Sequence, residues 1–163
     1  MEIIIIVAVD EKLAIGIDGD QPAYISGDLK RFKQLTTGHA IVMGRKTFEA
    51  LPKGALPNRR NIVMTRDKSL PLLNCETAHT VDEVFQLCKD EEKLFVIGGG
   101  QIYKSFMAKT DRLLITRIHQ TFDHADTWFP EIESDQWISK EVGEVLTDEK
   151  SGLSYHYEEF ERK

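Results

Sequence analysis

Short apolar runs alternate along this chain with segments whose apolar residues recur at helical spacing. The first run, residues 3–9, is continuous and β-branched, as expected of a strand that is covered on both faces. Further runs predict buried strands at 40–43, 61–65, 94–97 and 113–118, with a weaker strand near residue 75. The chain therefore carries the periodic signal of a sheet with several buried strands.

Helical spacing fills the segments between these strands. The first helix is predicted from Ser26 to about Thr36, with the Ser26 hydroxyl as its N-cap and Gly38 just after its end. Further helices are predicted between Gly44 and Pro52, over 81–89, and from the glycines at 98–100 to about residue 108. The last thirty residues predict antiparallel strands at 137–145 and 155–160 around a turn at 148–152. This order indicates an α/β domain on a mixed sheet.

Composition and charge narrow the classes of function. The 163 residues predict one domain, 1–163, and 41% hydrophobic with 29% charged residues is typical of a globular protein. A net charge of -6 argues against general affinity for nucleic acid or anionic membranes. The apolar N-terminal run is too short to span a bilayer and lacks the basic start of a secretory signal. Two lone cysteines, Cys75 and Cys88, predict no disulfide framework, so we expect a cytoplasmic protein.

An acid occupies the apolar side of the first predicted helix. Asp28 lies on the stripe formed by Ile25, Leu29, Phe32 and Leu35, whereas the basic residues at 30, 31 and 33 are expected to face water. A carboxylate buried without a partner is costly, so Asp28 either contacts a ligand or remains half-solvated as an ordinary first-turn acid. The preceding residues 10–24 are predicted to form a long loop, which favours the ligand contact.

Two strand-to-helix junctions carry groups that suit a phosphate. Gly98, Gly99 and Gly100 would leave backbone N–H groups open at a helix start. Residues 44–47 bring two cations and a hydroxyl to a second junction, and Arg66 follows the strand at 61–65. Each feature alone also fits a tight turn or a solvated cation, and the spacing G-x-G-x-x-G is absent. Together they indicate a dinucleotide across the carboxyl edge of the sheet.

Metal-dependent and nucleophilic chemistry find no support in the sequence. His119, Asp123, His124 and Asp126 cluster in one predicted loop, but they lack the spacing of known metal-ligand motifs. No G-x-S-x-G elbow or Walker loop is present. We therefore expect no metal site.

Several segments resemble the dihydrofolate reductase family, and they follow the family's order over nearly the whole chain. The resemblance is carried by residues 14–16 (AIG), Asp28-Leu29 with Phe32-Lys33, 42–49 (VMGRKTFE), 56–61 (LPNRRN), 97–103 (IGGGQIY) and 126–130 (DTWFP). It implies a single domain with an eight-stranded mixed sheet flanked by four helices. It also implies NADPH-dependent reduction of 7,8-dihydrofolate, with hydride passing to C6 and a proton to N5. Asp28 is then the catalytic residue, whose carboxylate binds the pterin 2-amino group and the adjacent ring nitrogen and whose negative charge favours a proton at N5, delivered by water.

The resemblance also assigns the residues that bind the substrate. Arg59 would pair with the α-carboxylate of the folate tail, a task that suits its bidentate guanidinium. Thr116 would steady Asp28 from a neighbouring strand. The substrate-binding set implied in this way is Ile6, Val7, Asp28, Leu29, Phe32, Leu51, Arg59, Ile97 and Thr116.

Cofactor residues follow from the same resemblance. Arg45, Thr65 and Arg66 would hold the 2′-phosphate side of the cofactor, and their cations favour NADPH over NADH. Lys46, Thr47 and the amides near 99–102 would hold the pyrophosphate. The implied cofactor-binding set is Ala8, Ile15, Gly16, Gly44, Arg45, Lys46, Thr47, Met64, Thr65, Arg66, Gly98, Gly99, Gly100, Gln101, Ile102 and Tyr103.

The loop before Asp28 departs from the family pattern. Family members usually carry Leu or Met, then Pro and Trp, where this chain has Gln21, Pro22 and Ala23. The missing indole and the polar Gln21 predict altered loop closure and proton delivery, with altered turnover or antifolate response, unless Tyr24 compensates.

Two other functions stay open at this point. A related NADPH-dependent reductase of the same fold would act on another heterocycle, such as a pyrimidine in riboflavin synthesis, but Arg59 favours a folate tail. A non-catalytic pterin-binding paralogue would explain the missing loop Trp, and the retained Asp28 argues against it. We expect dihydrofolate and antifolate-type small molecules as partners, with no nucleic acid and no membrane. We also expect a monomer, because no spare amphipathic surface stands out.

Overall fold

A computed structural model of the chain describes residues 1–17, 19–67 and 72–163, which form eleven strands and four helices. The strands are β1 (Glu2–Val9), β2 (Ala14–Gly16), β3 (Ala40–Gly44), β4 (Arg60–Met64), β5 (Cys75–Ala78), β6 (Lys93–Val96), β7 (Arg112–Ile118), β8 (Thr127–Trp128), β9 (Trp137–Val142), β10 (Leu146–Thr147) and β11 (Ser154–Arg162). The helices are α1 (Ser26–Thr36), α2 (Arg45–Glu49), α3 (Val81–Leu87) and α4 (Gly100–Met107).

One mixed sheet organises these elements, with β1 near its centre. β1 runs parallel to β6 and β7, and β3, β4 and β5 continue the parallel part of the sheet beyond β6. β11 is antiparallel to β7 at the other side. β10 pairs with the start of β11 and β9 with its end, so these two strands share one position. The sheet thus has eight strand positions, in the order β9/β10, β11, β7, β1, β6, β3, β4, β5, which confirms the expected mixed sheet.

Helices cover both faces of this sheet, which explains why β1 is apolar throughout. On one face, Ile5 packs in a cluster with Val84 of α3 and Phe106 of α4. On the other face, Ile4 packs in a second cluster against which Phe32 of α1 lies. Because adjacent side chains of a strand point to opposite faces, both sets of β1 residues are withdrawn from water.

Helix α1 begins at Ser26, but the prediction that the Ser26 hydroxyl caps it was wrong. The N-cap position is Ile25, and no side chain at that position accepts a hydrogen bond. The backbone N–H of Ser26 instead donates to Oδ1 of Asp148, at 3.3 Å, in the turn between β10 and β11. The Ser151 hydroxyl and backbone N–H also donate to this carboxylate and lower the pKa of Asp148. The helix that carries Asp28 is therefore fixed by a residue far away in the sequence.

The predicted loop 10–24 contains a strand that the sequence pattern did not indicate, and its residue 18 lies outside the described part of the chain. β2 pairs antiparallel with β8 in a small second sheet. The backbone N–H of Asp126 donates to the carbonyl of Gly16 at 2.9 Å, and that of Phe129 to the carbonyl of Leu13 at 2.7 Å. The loop before α1 is thus attached to the segment that follows β7.

Candidate active site

The predicted site residues gather at the carboxyl edge of the parallel strands. Gly44 ends β3, the glycines at 98–100 follow β6, and Thr116 lies near the end of β7. The backbone N–H of Gly44 donates to the carbonyl of Gly98 at 2.8 Å, which joins the two glycine junctions. This edge is where ligands bind in open α/β sheets, so the arrangement has the form of a binding site.

Asp28, in the first turn of α1, faces β7. The hydroxyl of Thr116, a residue only 2% exposed, donates to Asp28 Oδ1 at 2.7 Å. Burial raises the pKa of the Asp28 carboxyl above its ordinary value, whereas the Thr116 hydrogen bond and the charge of Arg31 act in the opposite direction. The carboxyl group is largely desolvated although the residue as a whole is partly exposed. Its environment therefore differs from that of a solvated first-turn acid.

Arg31 was expected to face water, and this expectation was wrong. The residue is half-buried, and its guanidinium carbon lies 3.9 Å from the ring centroid of Tyr157 on β11. Its Nη1 atom is buried and has no hydrogen-bond partner within the described residues. A guanidinium is weakly hydrated and stacks well on an aromatic face, which is why the side chain folds inward.

Apolar side chains line the sheet beside Asp28. Ile6 belongs to the cluster on the α1 face, and Phe32, Leu51 and Ile97 pack against it, half-buried. Leu29 is 46% exposed, although it was assigned to the same wall. Val7 lies in the cluster on the opposite face. The structure thus brings together most of the apolar substrate set, but not the side chain of Val7.

Arg59 lies near the end of α1, next to Phe32. Its Nε donates to the carbonyl of Pro57 at 3.0 Å, and its Nη1 donates to the hydroxyl of Thr36 at 3.1 Å. Burial lowers the pKa of Arg59. Within the described residues, no carboxylate lies within ion-pair distance of it. The guanidinium is therefore oriented by neutral acceptors and keeps an uncompensated positive charge.

At the two glycine junctions, side chains of α4 lie close to the glycine backbone, because no Cβ atom is in the way. Gly98 has φ +123°, and a Cβ there would lie 3.3 Å from the hydroxyl oxygen of Tyr103. That hydroxyl donates to the carbonyl of Ile6 at 3.0 Å, and burial raises the pKa of Tyr103. A Cβ on Gly44 would lie 3.0 Å from Cγ1 of Ile102. Side chains at these positions would fill the space between β3, β6 and α4.

The start of α4 has open backbone groups. Its N-cap is Gly99, and no side chain caps it. A Cβ on Gly100 would lie 2.8 Å from Cγ2 of Thr127, so this position tolerates no larger residue without movement. The hydroxyl oxygen of Thr47 of α2 lies 3.5 Å from the Cβ position of Gly99. Unpaired N–H groups at a helix start are suited to an anion.

The predicted cations lie on the outer side of these junctions. Arg45 forms an ion pair with Glu49, with 2.7 Å between Nε and Oε1, and both side chains are about half exposed. Lys46 and Arg66 are exposed, and Thr65 is half-buried. Of the other predicted cofactor residues, Ala8, Ile15, Gly16, Met64 and Thr47 are half-buried and Gln101 is exposed.

Comparisons with known proteins assign this geometry to a family. The sequence matches the dihydrofolate reductase family over residues 2–162. The dihydrofolate reductase of Staphylococcus haemolyticus is 41% identical over 162 residues, which cover 99% of this chain and 96% of that protein. The dihydrofolate reductase of Bacillus subtilis (strain 168) is 39% identical over 160 residues, covering 97% and 93%. The chain belongs to the dihydrofolate reductase family.

A solved structure of this family agrees with the same conclusion. The dihydrofolate reductase from Enterococcus faecalis complexed with NADP(H) and RAB-propyl matches with a TM-score of 0.90 and 34% identity, over 99% of this chain and 96% of that chain. The expected fold and the expected enzyme class, a reductase acting on dihydrofolate, are thereby confirmed.

The loop in which this chain departs from the dihydrofolate reductase pattern has its own contacts. Ala23 packs, half-buried, against the cluster of Ile25, Ile118 and Tyr155. Tyr24 is 51% exposed, and its hydroxyl donates to Asp20, which raises the pKa of Tyr24 to about 12. The Tyr24 ring therefore lies on the outer side of the loop, and its hydroxyl is engaged there.

Asp10, which the sequence analysis did not single out, holds this loop against the segment after β7. The residue is 1% exposed, and its Oδ1 accepts from the N–H groups of Lys12 and Ala14, each at 2.8 Å. Its Oδ2 accepts from the N–H of Phe122 at 3.0 Å. An acid placed directly after a buried strand was the only available signal. Its three backbone partners follow from the tertiary fold.

Neither a membrane-spanning helix nor a metal-binding cluster is found in residues 1–17, 19–67 and 72–163. No helix in these ranges is long and apolar enough to cross a membrane. Likewise, no group of three or more histidine, cysteine, aspartate or glutamate side chains there is arranged to hold a metal ion. Cys75 and Cys88 are both free thiols.

Proposed function

We propose that this chain reduces 7,8-dihydrofolate to 5,6,7,8-tetrahydrofolate with NADPH as the hydride donor. The observation that carries the proposal is the desolvated carboxyl of Asp28, which Thr116 holds at 2.7 Å beside an apolar wall. The Enterococcus faecalis structure contains NADP(H), which supports the choice of cofactor. A single acid suffices in such a site, because the nicotinamide supplies the redox chemistry.

Asp28 would bind the pterin ring through the 2-amino group and the adjacent ring nitrogen. A carboxylate offers two acceptor oxygens and can accept from both donors at once. Thr116 donates to Oδ1, which favours the orientation of the carboxyl seen in the structure. The negative charge would favour a proton at N5 and so prepare C6 for hydride, with water delivering the proton.

Arg59 would bind the α-carboxylate of the folate tail. The guanidinium is already oriented by the Pro57 carbonyl and the Thr36 hydroxyl, so little side-chain freedom is lost on binding. Its positive charge has no carboxylate partner in the described residues, which leaves it available for an anionic ligand. A substrate without such a carboxylate would not use this group.

The residues at the carboxyl edge fit a phosphorylated dinucleotide. The α4 start has open N–H groups beside Thr47, and the close packing at Gly98 and Gly100 leaves backbone rather than side chains facing the edge. Thr47, Lys46 and the amides near 99–102 would hold the pyrophosphate, and NADPH would supply a hydride when bound there. Ala8, Ile15, Gly16, Gly44, Met64, Gly99, Gln101, Ile102 and Tyr103 would complete this surface.

The 2′-phosphate would be held by Arg45, Thr65 and Arg66. A 2′-phosphate is dianionic, so cations at this position favour NADPH over NADH. Arg45 is exposed, and its ion pair within the described residues is with its helix neighbour Glu49, a contact that contributes little in water. The guanidinium can therefore turn to a phosphate at small cost.

The test is the loss of nicotinamide absorbance when the protein is mixed with NADPH and dihydrofolate. We expect steady oxidation by the wild type and a loss of at least about 100-fold in Asp28→Asn, since removing one preorganised electrostatic contact from an active site costs about 10²–10³-fold. Asp82→Asn is the matched control, because Asp82 is also a first-turn acid but lies exposed on α3. Binding of both ligands without oxidation would instead identify a pterin-binding paralogue.

We also propose that the loop variation changes turnover and antifolate response. Ala23 supplies no indole donor, and Gln21 is exposed where an apolar residue usually covers the nicotinamide. Ala23→Trp should change turnover or inhibitor affinity, and no change in either would refute this. Antifolate-type small molecules would compete with dihydrofolate at Asp28, and we further propose a cytoplasmic monomer.

A further inference from the structure

Arg31 is a charged residue beside Asp28 that the proposed reaction does not use. The two residues are three positions apart on α1, so they lie on the same side of the helix. Beneath them, Thr116 of β7 and Tyr157 of β11 are direct cross-strand partners. Thr116 donates to Asp28 at 2.7 Å, and the Tyr157 ring lies 3.9 Å from the guanidinium carbon of Arg31. Two helix residues thus lie over two paired strand residues.

The charge of Arg31 is held without an ion pair. No carboxylate in the described part of the chain lies within ion-pair distance of its guanidinium, and its buried Nη1 has no hydrogen-bond partner there. The ring of Tyr157 fixes the planar group in place, as aromatic faces do for guanidinium ions. An ion pair would neutralise the charge locally, whereas this arrangement leaves it to act on nearby groups.

Three other groups of the described chain interact with Asp28, and none of them carries a charge at neutral pH. Tyr103 of α4 and Tyr157 of β11 both interact with the Asp28 charge, and burial raises the pKa of each, that of Tyr157 to about 12. The Thr116 hydroxyl does not titrate. Among the described residues, Arg31 is the cation whose charge lowers the pKa of Asp28.

We propose that Arg31 is a positioning residue for the reaction, and that its charge, held on the Tyr157 ring, keeps Asp28 anionic while the pterin binds. This inference rests on the proposed function of Asp28. The apolar wall that excludes water from the ring also favours the neutral carboxyl. A nearby uncompensated cation opposes that tendency without occupying the acceptor oxygens that the pterin needs. A direct ion pair would compete for those oxygens.

The experiment compares variants that remove one positive charge from α1. Arg31→Met removes the buried charge and keeps an apolar stem over Tyr157, while Arg31→Lys restores a charge. Lys30→Met is the matched control, because Lys30 is the exposed neighbour on the same helix. Arg31→Gln provides the same comparison if the Met variant does not fold.

Two properties of each variant are measured. The first is the pH dependence of kcat/KM, using the inflection that Asp28→Asn removes. The second is an NMR titration of the Asp28 carboxyl carbon in the free protein. For Arg31→Met we expect both midpoints at higher pH than in the wild type, with Arg31→Lys returning towards the wild-type value and Lys30→Met unchanged.

Equal midpoints in Arg31→Met and the wild type would overturn the inference. A shift in Lys30→Met as large as that in Arg31→Met would overturn it as well. Failure of the proposed function has a different result. In that case the wild type would not oxidise NADPH with dihydrofolate, while the NMR titration would still decide whether Arg31 sets the charge of Asp28.

Discussion

Replacing Thr116 by Val removes one hydroxyl from a tightly packed position and leaves the shape of the side chain nearly unchanged. Thr116 is 2% exposed, and its hydroxyl donates to Asp28 Oδ1 at 2.7 Å. A hydrogen bond to a charged group contributes about 1.5–3 kcal/mol, and one between neutral groups about 0.5–1.5 kcal/mol. We therefore expect Thr116→Val to lower the free energy of unfolding by about 1.5–3 kcal/mol where Asp28 is charged, and by about 1 kcal/mol where it is protonated.

The cost of this substitution should increase with pH. Burial raises the pKa of Asp28 in the folded protein, so the folded carboxyl binds a proton more readily than the unfolded one. The protonated Asp28 carboxyl therefore stabilises the folded protein. This stabilisation is fully present at pH values below the pKa of Asp28 in the unfolded chain, and it is lost as the pH rises through the pKa of Asp28 in the folded protein. Without the Thr116 donor the folded-state pKa rises further. The variant therefore loses more stability over this interval than the wild type.

Urea unfolding over a pH series from about 4 to about 8 measures this difference. Thr110→Val is the matched control, because Thr110 is fully buried and its hydroxyl donates to the neutral carbonyl of Phe106 at 2.8 Å. The control should lose about 0.5–1.5 kcal/mol at every pH. If Thr116→Val shows the same pH-independent loss, the hydrogen bond to Asp28 is not charge-assisted and the reasoning fails.

Three further predictions concern the carboxyl edge. Glu49→Gln frees Arg45 from its ion pair and should tighten NADPH binding by about two- to fivefold in a fluorescence titration, which corresponds to the free energy of an exposed ion pair. NADH binding should stay unchanged, and an equal gain for both cofactors would contradict the role of Arg45. Gly100→Ala places a Cβ 2.8 Å from Thr127 and should weaken NADPH binding and lower the midpoint of urea unfolding, whereas an unaffected variant would show that β8 yields easily. Tyr103→Phe leaves a buried carbonyl of β1 without its donor and should cost about 1–3 kcal/mol in urea unfolding; a loss below about 0.5 kcal/mol would indicate that the carbonyl finds another partner.

Local sequence patterns were sufficient to predict a helix or strand wherever the residues of that element alone determine its type and extent. The apolar run of β1 predicts a strand covered on both faces, and helices on both sides of the sheet cover it. The spacing in α1 predicts its extent to within a residue, and Gly38, with φ +85°, follows its end. The number of strands in the sheet was predicted from the resemblance to the family, not from local patterns. These features depend on neighbours in the sequence or on a recurring family pattern.

Contacts between distant segments were not predictable in this way. The cap of α1 comes from Asp148, which lies 122 positions from Ser26, and no local signal connects them. β2 is three residues long and forms a strand only because β8 lies beside it. The inward turn of Arg31 depends on an aromatic ring in the last strand. Each of these errors has the same physical cause, since a side chain's partner is set by the tertiary fold.

The environment of Asp28 depends on several such contacts. Its helix is capped from the β10–β11 turn, its oxygen is held from β7, and the cation that opposes its desolvation is fixed by β11. The sequence places an acid on an apolar helix face, where burial alone would favour the neutral form. The charge state of Asp28 on which the proposed reaction rests is therefore a property of three assembled elements. We therefore expect a substitution in the antiparallel part of the sheet, such as one at Tyr157, to change the charge state of Asp28 without altering Asp28 itself.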